Sequence, residues 1–412
     1  MQQTGLFLLF FGIIYSLFGL MLWYLYVSFR NWLAAAFDTL TAHQLRRLGL
    51  WIIIVGSSLL VSRPVLGWLG FSHHPVAQVL VVYPAGFFFG AVVLGFVLLS
   101  LRDFLSFLAS IVLTPFRRQK AASRSTTNLF DPARRRFLKT TGLTTAGVIG
   151  ATPILSSILT SRDYTIVRLP LSFPNLPPRL NGFTIAQVSD LHSGPFMTQR
   201  QMEEIFEIVN SLNANLIVLT GDFVDSNDHE IEPLSKALGM LRAEFGMLGC
   251  LGNHDHFATP EKVASAIQQR NITLLKNSHR TLSVNGEKLT VVGVDDAGRG
   301  VRYYARLADA VRGLDWESFK IMLTHQPRFF PQARKAGMDL TLAGHTHGGQ
   351  VGIEYGGINL NPVYLVHEYA RGLYEEEGKK LYVNVGVGMV GVPIRLVPPE
   401  ITLITLQSAL HG

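Results

Sequence analysis

The sequence predicts two regions of different fold class, an N-terminal α-helical transmembrane region and, from about residue 161, an α/β domain. Three observations carry this. Long uncharged apolar runs are confined to the first 160 residues; strand-like and helix-like periodicities alternate through the remainder; and nearly every buried strand there stops on Asp, Asn or His. At 412 residues, 48% of them hydrophobic, the chain has room for two or three domains, and its mean hydropathy of +0.27 is high for a soluble protein.

Within 1–116, residues 5–28 hold no charge over more than the ~20 residues needed to cross a hydrocarbon core. The run 48–69 is interrupted only by Arg63, near one end, from which a long side chain reaches the headgroups. The run 76–101 is uncharged, with Pro84 as a kink point. Residues 104–116 follow Arg102 and Asp103, are too short to span, and read as an interfacial segment. A basic linker, 117–139, leads to a weaker apolar run at 140–160, a fourth span or signal anchor.

Basic loop residues orient such a set, because Lys and Arg stay on the cytoplasmic side. The first connection holds Arg30, Arg46 and Arg47; the second holds only the loop residues His73 and His74; the third holds Arg117, Arg118, Lys120, Arg124, Arg134, Arg135, Arg136 and Lys139. The expected order is out-in-out-in-out, which puts everything after residue 161 on the periplasmic side of an inner membrane. Arg134, Arg135, Phe137, Leu138 and Lys139 resemble a twin-arginine export signal, which would make the twin-arginine translocase a partner. An ordinary positive-inside flank is the other reading, with the same sidedness. No small-residue cleavage site follows, so the domain is expected to stay tethered.

Charge separates the two regions. Residues 1–160 hold 13 Lys and Arg against 3 Asp and Glu, a balance of +10, leaving 23 against 26, or −3, for the remainder. The C-terminal domain has no basic excess for a polyanion, which argues against nucleic acid as a partner. The single cysteine, Cys250, excludes an intramolecular disulfide and a cysteine-based zinc site and reads as a small buried strand residue.

The elements of the second region follow in order. "FTIAQVSD" and "NLIVLTGD" read as strands flanking a helix with Met202, Ile205, Phe206, Val209 and Leu212 on one face, a β-α-β unit. "GMLGCLGNHD" is a strand, "TPEKVASAIQQR" a helix, and "HRTLSVNGEKLTVVGVD" a hairpin turning at Asn285-Gly286. "FKIMLTHQP" and "MDLTLAGHTH" are strands either side of the helical "RFFPQARKAG", and "KKLYVNVGVG" and "EITLITLQ" close the chain. Helices are expected to cover the sheet faces.

Potential metal ligands sit where these strands stop: Asp190 and His192, Asp222, Asn253 and His254, His325, His345 and His347. A lone Asp after a strand is usually a cap or turn residue, but independent capping would not select histidine so often. Strand carboxyl ends are where α/β sites form, so these side chains are expected to converge. Carboxylates, an amide oxygen and imidazoles without thiolate suit Mn²⁺, Fe or Zn²⁺. A pair of such cations activates a water for in-line displacement at phosphorus, which is phosphoester hydrolysis.

The ordered set Asp190-Leu-His192, Gly221-Asp222-Phe-Val-Asp225, Gly252-Asn253-His254-Asp255, His325 and Gly344-His345-Thr-His347 resembles the full signature of the calcineurin-like metallophosphoesterase superfamily over residues 161–412. The resemblance implies a four-layer α-β-β-α sandwich with a dinuclear metal site at strand ends. By position it implies that Asp190, His192 and His347 hold one metal, that Asp222 bridges, and that Asn253, His325 and His345 complete the second. His254 would protonate or stabilise the leaving oxygen, with Asp225 orienting its ring or serving as a loop cap, and Asp255 would be structural. The Gly348-Gly349-Gln350 extension resembles a subgroup of bacterial membrane-associated or exported phosphodiesterases that includes enzymes acting on UDP-diacylglucosamine.

Protein serine/threonine phosphatases of the superfamily carry an arginine after the second Asp of G-D-x-x-D; Ser226 stands there, which disfavours a phosphoprotein substrate. Arg395 is read as a substrate contact or as a solvated or structural residue. The expected function is hydrolysis of a phosphodiester or pyrophosphate bond in a phosphorylated small molecule or lipid-linked substrate beside the bilayer. An inactive receptor or assembly protein is the alternative, but such a site should have lost ligands. A transporter would show paired intramembrane charges, and Arg63 and Arg102 are poor candidates.

Overall fold

The computed structural model describes residues 16–31, 41–68, 75–120, 141, 164–298, 303–355, 358–391 and 395–409. It holds two compact units, an N-terminal helical one and a C-terminal α/β one. In the first, residues 16–31 form α1 and Ala42–Trp68 form α2. From Pro75 the chain is helical without a break: Pro75–Ala77, a π-helical stretch Gln78–Val82, then α3 over Tyr83–Lys120. The π stretch stands just ahead of Pro84. Proline lacks an N–H and its ring crowds the carbonyl four residues back, so a wider turn there takes up the misfit.

Residues 104–116, expected as an interfacial segment, continue α3. Arg102 and Asp103 pair with each other at 2.6 Å, and the Tyr24 hydroxyl donates to Asp103 at 2.6 Å, so both charges are accommodated on the helix surface without ending the helix. Among the described residues one helical stretch, Leu80–Leu108, is long and apolar enough to cross a membrane. Residues 5–15, the twin-arginine-like stretch and, apart from Thr141, the run 140–160 lie outside the described residues.

The α/β unit is built on two six-stranded sheets. The first uses β1 (Thr165–Phe173), β2 (Thr184–Val188), β3 (Leu216–Thr220), β4 (Met247–Cys250), β5 (Ile272–Leu274) and β14 (Glu400–Ser408) in the order β1-β14-β2-β3-β4-β5. The second uses β6 (Ser278–Val284), β7 (Glu287–Gly293), β8 (Phe319–Leu323), β9 (Leu340–Ala343), β12 (Gly372–Glu376) and β13 (Lys379–Val383) in the order β12-β13-β9-β8-β7-β6. A small hairpin, β10 (Ile353–Tyr355) and β11 (Ile358–Leu360), stands apart. Strands β2 to β5 are mutually parallel, as are β7, β8, β9 and β13.

Alternation along each strand creates the layers. Ile185, Leu216 and Val218 join Ile321, Leu323, Leu340 and Leu342 in a core between the sheets, while Ala186, Val188, Ile217 and Leu219 face the opposite way. That outer face is covered by α4 (Gln199–Ser211), α5 (Ile231–Leu238) and α6 (Pro260–Gln268). Helix α4 buries Met202, Ile205, Phe206 and Val209, and Thr198 with Gln201 closes a capping box at its start. On the outer face of the second sheet, Val292 and Met322 pack with Phe329, Ala333 and Ala310 of the segments around α7 (Leu307–Ala310) and α8 (Phe330–Lys335). The result is the four-layer α-β-β-α sandwich.

Candidate metal centre

Residues beyond the carboxyl ends of β2, β3, β4, β8 and β9 meet in three groups, each with its ligand atoms within 4.8 Å of one another. The first is Asp190, His192 and His347, the second is Asp222, His325 and His345, and a third joins His192 to Asp225 and His254. In the first, His192 Nε2 stands 3.0 Å from His347 Nε2, which is 3.4 Å from Asp190 Oδ1. In the second, His325 Nε2 stands 3.0 Å from Asp222 Oδ2 and 3.2 Å from His345 Nδ1. The same Asp222 Oδ2 lies 3.6 Å from His192 Nε2, so this carboxylate stands between these two groups. His345 and His347, one residue apart in sequence, go to different groups.

The residues fit divalent cations. Imidazole nitrogens facing each other at 3.0–3.2 Å need a proton or a cation between them. Burial holds His192 and His345 well below the ordinary histidine range and pushes His347 down to about 4, which keeps all three in the neutral form that binds metals. Asn253 Oδ1 is buried without a hydrogen-bond donor among the described residues, and its neighbour His254 donates its backbone N–H to Asp222 Oδ1 at 2.8 Å. For His325, burial opposes charging but the Asp222 carboxylate outweighs it, raising the group to about 10. Its Nδ1 donates to the Thr220 carbonyl at 2.8 Å, which aims Nε2 at the centre.

The backbone under these side chains is unusual. Asp190, His192, Asp222, His345 and His347 all have positive φ, between 47° and 75°. Such conformations in non-glycine residues cluster at functional sites. Two glycines make room for the carboxylates: a Cβ at Gly252 would meet Asp222, and one at Gly344 would meet Ser189 and Asp190. The His345 backbone N–H then donates to both Asp190 oxygens at 3.1 Å.

His254 stands edge-on to His192, with ring centroids 4.6 Å apart. The expected orienting contact takes a different form: the acceptor of His254 Nδ1 is the Asp225 backbone carbonyl, while the Asp225 carboxylate lies 3.9 Å away and 3.7 Å from His192 Nδ1. Burial disfavours charge on His254, but Asp222 and then Asp225 outweigh it, so its net shift is upward. Asp255 is fully buried and accepts from the backbone N–H groups of Phe223, Val224 and Gly252, tying the two loops together. At Ser226 the backbone N–H donates to Glu230 Oε2 at 2.7 Å.

Arg395 is buried. It is 1% exposed, and its guanidinium donates to the carbonyls of Val385, Gly386, Gly388 and Val397, because the loop after β13 turns its backbone oxygens inward there. Burial lowers it to about 10 against the pull of Asp190 and Glu400. Replacing it with leucine leaves those carbonyls without this donor, at about 1–3 kcal/mol each. A thermal melt of Arg395→Leu is expected to fall by many degrees; unchanged melting with a raised KM would restore the substrate role.

Residues not singled out from the sequence also stand near the centre. Asp295 and Asp296 follow the end of β7 by two and three residues, so the strand-end rule applied above would have found them. Asp296 accepts from Gln326, next to His325, at 2.6 Å, and Asp295 pairs with His256 at 2.8 Å. His367 lies 5.5 Å from His345 between ring centroids, a position that no local pattern announces. Gln350 pairs both ends of its side-chain amide with the Val390 backbone, donating at 3.1 Å and accepting at 2.9 Å, which staples the loop after β13 to the His345–His347 segment.

A two-sheet sandwich with these groups at its strand ends defines a metal-dependent phosphoesterase, and the chain belongs to the calcineurin-like phosphoesterase family, whose profile matches residues 183–349. The metallophosphoesterase YkuE of Bacillus subtilis is 33% identical over 242 residues, 57% of this chain and 82% of that protein. A transmembrane protein with metallophosphoesterase domain from Danio rerio is 31% identical over 260 residues, 59% of this chain and 57% of that protein. A metallophosphoesterase of Aquifex aeolicus is 29% identical over 236 residues, 56% of this chain and 87% of that protein. The chain is thus a phosphoester hydrolase by family, and the family uses divalent metal ions. The relative from Danio rerio is named as a transmembrane protein; in this chain, among the described residues, the stretch Leu80–Leu108 is long and apolar enough to cross a membrane.

Proposed function

We propose that the protein is a membrane-anchored phosphodiesterase or pyrophosphatase with a two-metal centre facing away from the cytoplasm. The observation that carries this is the pair of ligand groups joined at Asp222. Asp190, His192 and His347 would hold one ion and Asn253, His325 and His345 the other, with Asp222 shared; Mn²⁺ fits the donor set best, with Fe or Zn²⁺ as the other candidates. Bound there, the ions supply positive charge to the phosphoryl oxygens and lower the pKa of a water.

The chain's own residues do the rest. The Asp225 carbonyl fixes the proton of His254 on Nδ1 in the neutral ring, and the upward shift favours a proton on Nε2 as well, for delivery to the departing oxygen. Ser226, in place of an arginine, disfavours a phosphoprotein substrate. The Gly348-Gly349-Gln350 segment supports membership of the bacterial membrane-associated or exported subgroup. A sugar-nucleotide lipid would be cytoplasmic, so the proposed sidedness points to another envelope-side phosphoester.

Chelator treatment is expected to abolish hydrolysis by the full chain and Mn²⁺ to restore it, with generic diesters or pyrophosphates cleaved faster than monoesters. A monoester preference would overturn the diester reading, and an ion-loaded but inert protein would favour the receptor alternative. For the sidedness, protease added to intact spheroplasts is expected to digest the catalytic domain; full protection beside an active control would reverse it.

A further inference from the structure

Residues 361–370 connect β11 to β12 beside the second ligand group. We propose that this loop is a bilayer-docking tip, whose Tyr364, Leu365 and Val366 enter the lipid surface and hold the metal centre at headgroup level. The proposal rests on the membrane anchoring proposed above.

Three consecutive apolar side chains stand in solvent there, Tyr364 at 42%, Leu365 at 87% and Val366 at 69% exposure. A run of this kind on a water-facing loop marks a contact surface. They are held outward by a built frame. Val363 is buried; Asn361 accepts from the Val363 backbone N–H at 3.1 Å and donates to the Gly348 carbonyl at 2.8 Å; and the His367 backbone N–H donates to the Val363 carbonyl at 2.8 Å. At the other end, Thr346 donates to the Ala370 carbonyl at 2.5 Å, and Tyr374 accepts the Ala370 N–H at 2.9 Å. The loop is therefore bonded at both ends to the segment carrying His345 and His347. Its His367 ring lies 5.5 Å from that of His345, which places the apolar tip at the rim of the centre.

The occupant is argued from the chain itself. A helical stretch, Leu80–Leu108, is long and apolar enough to cross a membrane, so under the proposed anchoring lipid is the apolar phase the same molecule meets. Apolar exposure also continues beyond the loop. Tyr364 lines a cavity of about 290 Å³ with Gly372 and Val397, and their chain neighbours Leu373 and Leu396 are 44% and 38% exposed. Arg371 shares the cavity wall with Glu400, and Glu368 beside the tip is exposed, so the surroundings of the tip carry no basic excess and docking does not need anionic lipid. The substrate bond best placed for such a site is a phosphoester at headgroup depth.

The test uses full-length Leu365→Cys carrying an environment-sensitive thiol fluorophore, reconstituted one copy per phosphatidylcholine nanodisc; Cys250 is fully buried and does not compete for the label. Co-elution with the nanodisc reads the anchoring. The docking predicts blue-shifted emission that is quenched when brominated phosphatidylcholine replaces part of the lipid. Blue shift without quenching means that protein covers the tip, either the chain's own helices or a second copy in a dimer, and overturns the proposal. Water-like emission also overturns it, with the anchoring left standing, whereas failure to co-elute overturns both.

Discussion

Asp222→Asn is expected to leave a folded protein with almost no turnover, a loss on the order of 10³-fold in kcat, comparable to removing a main charge-stabilising group from an active site. The reason is position. One oxygen of Asp222 accepts the backbone N–H of His254, and the other stands between His325 and His192, so this carboxylate is the element common to both groups. Burial alone would keep it protonated; His325 and then His254 outweigh that and hold it well below the ordinary carboxylate range. An amide of the same shape keeps the packing and removes the charge. Metal content by atomic spectroscopy should fall with activity. An active, metal-free Asp222→Asn protein would end the two-metal proposal.

His254→Gln separates chemistry from metal binding. His254 is outside the groups of Asp190 and Asp222 and stands in the third, with His192 and Asp225; it lies edge-on to His192 with Nδ1 held by the Asp225 carbonyl. The substitution is expected to cost 10²–10⁴-fold in kcat, roughly the range for losing a positioned proton donor, with bound metal unchanged. A substrate whose leaving group needs no proton should recover most of the rate. Loss of metal instead would place His254 among the ligands.

Much of this centre could be read from the sequence because a buried strand in an α/β fold advertises its own end. The apolar runs of β2, β3, β4, β8 and β9 stop one to three residues before a ligand-type residue, and parallel pairing brings the ends of neighbouring strands together. The Asn285-Gly286 hairpin was equally local, and both residues take the positive φ that its turn requires. What escaped depends on distant partners. β1 contains Pro170 and is mostly exposed, a pattern that reads as loop until pairing with β14, more than 200 residues away, makes it an edge strand. The burial of Arg395 depends on carbonyls from a loop that only the folded chain assembles, and a sequence does not say whether Asp225 offers its carboxylate or its main-chain oxygen.

The left-handed backbone at five of the expected ligands bears on whether the chain still works as an enzyme. Each non-glycine residue in that conformation costs on the order of 1 kcal/mol, and glycine would relieve it. A protein that had kept the fold only as a scaffold would gain stability by letting His192, His345 and His347 drift to glycine. The chain instead keeps imidazoles at its least comfortable backbone positions, with Gly252 and Gly344 left bare to accommodate the carboxylates beside them. Imidazoles held in that conformation are what a working metal centre would need from these strand ends.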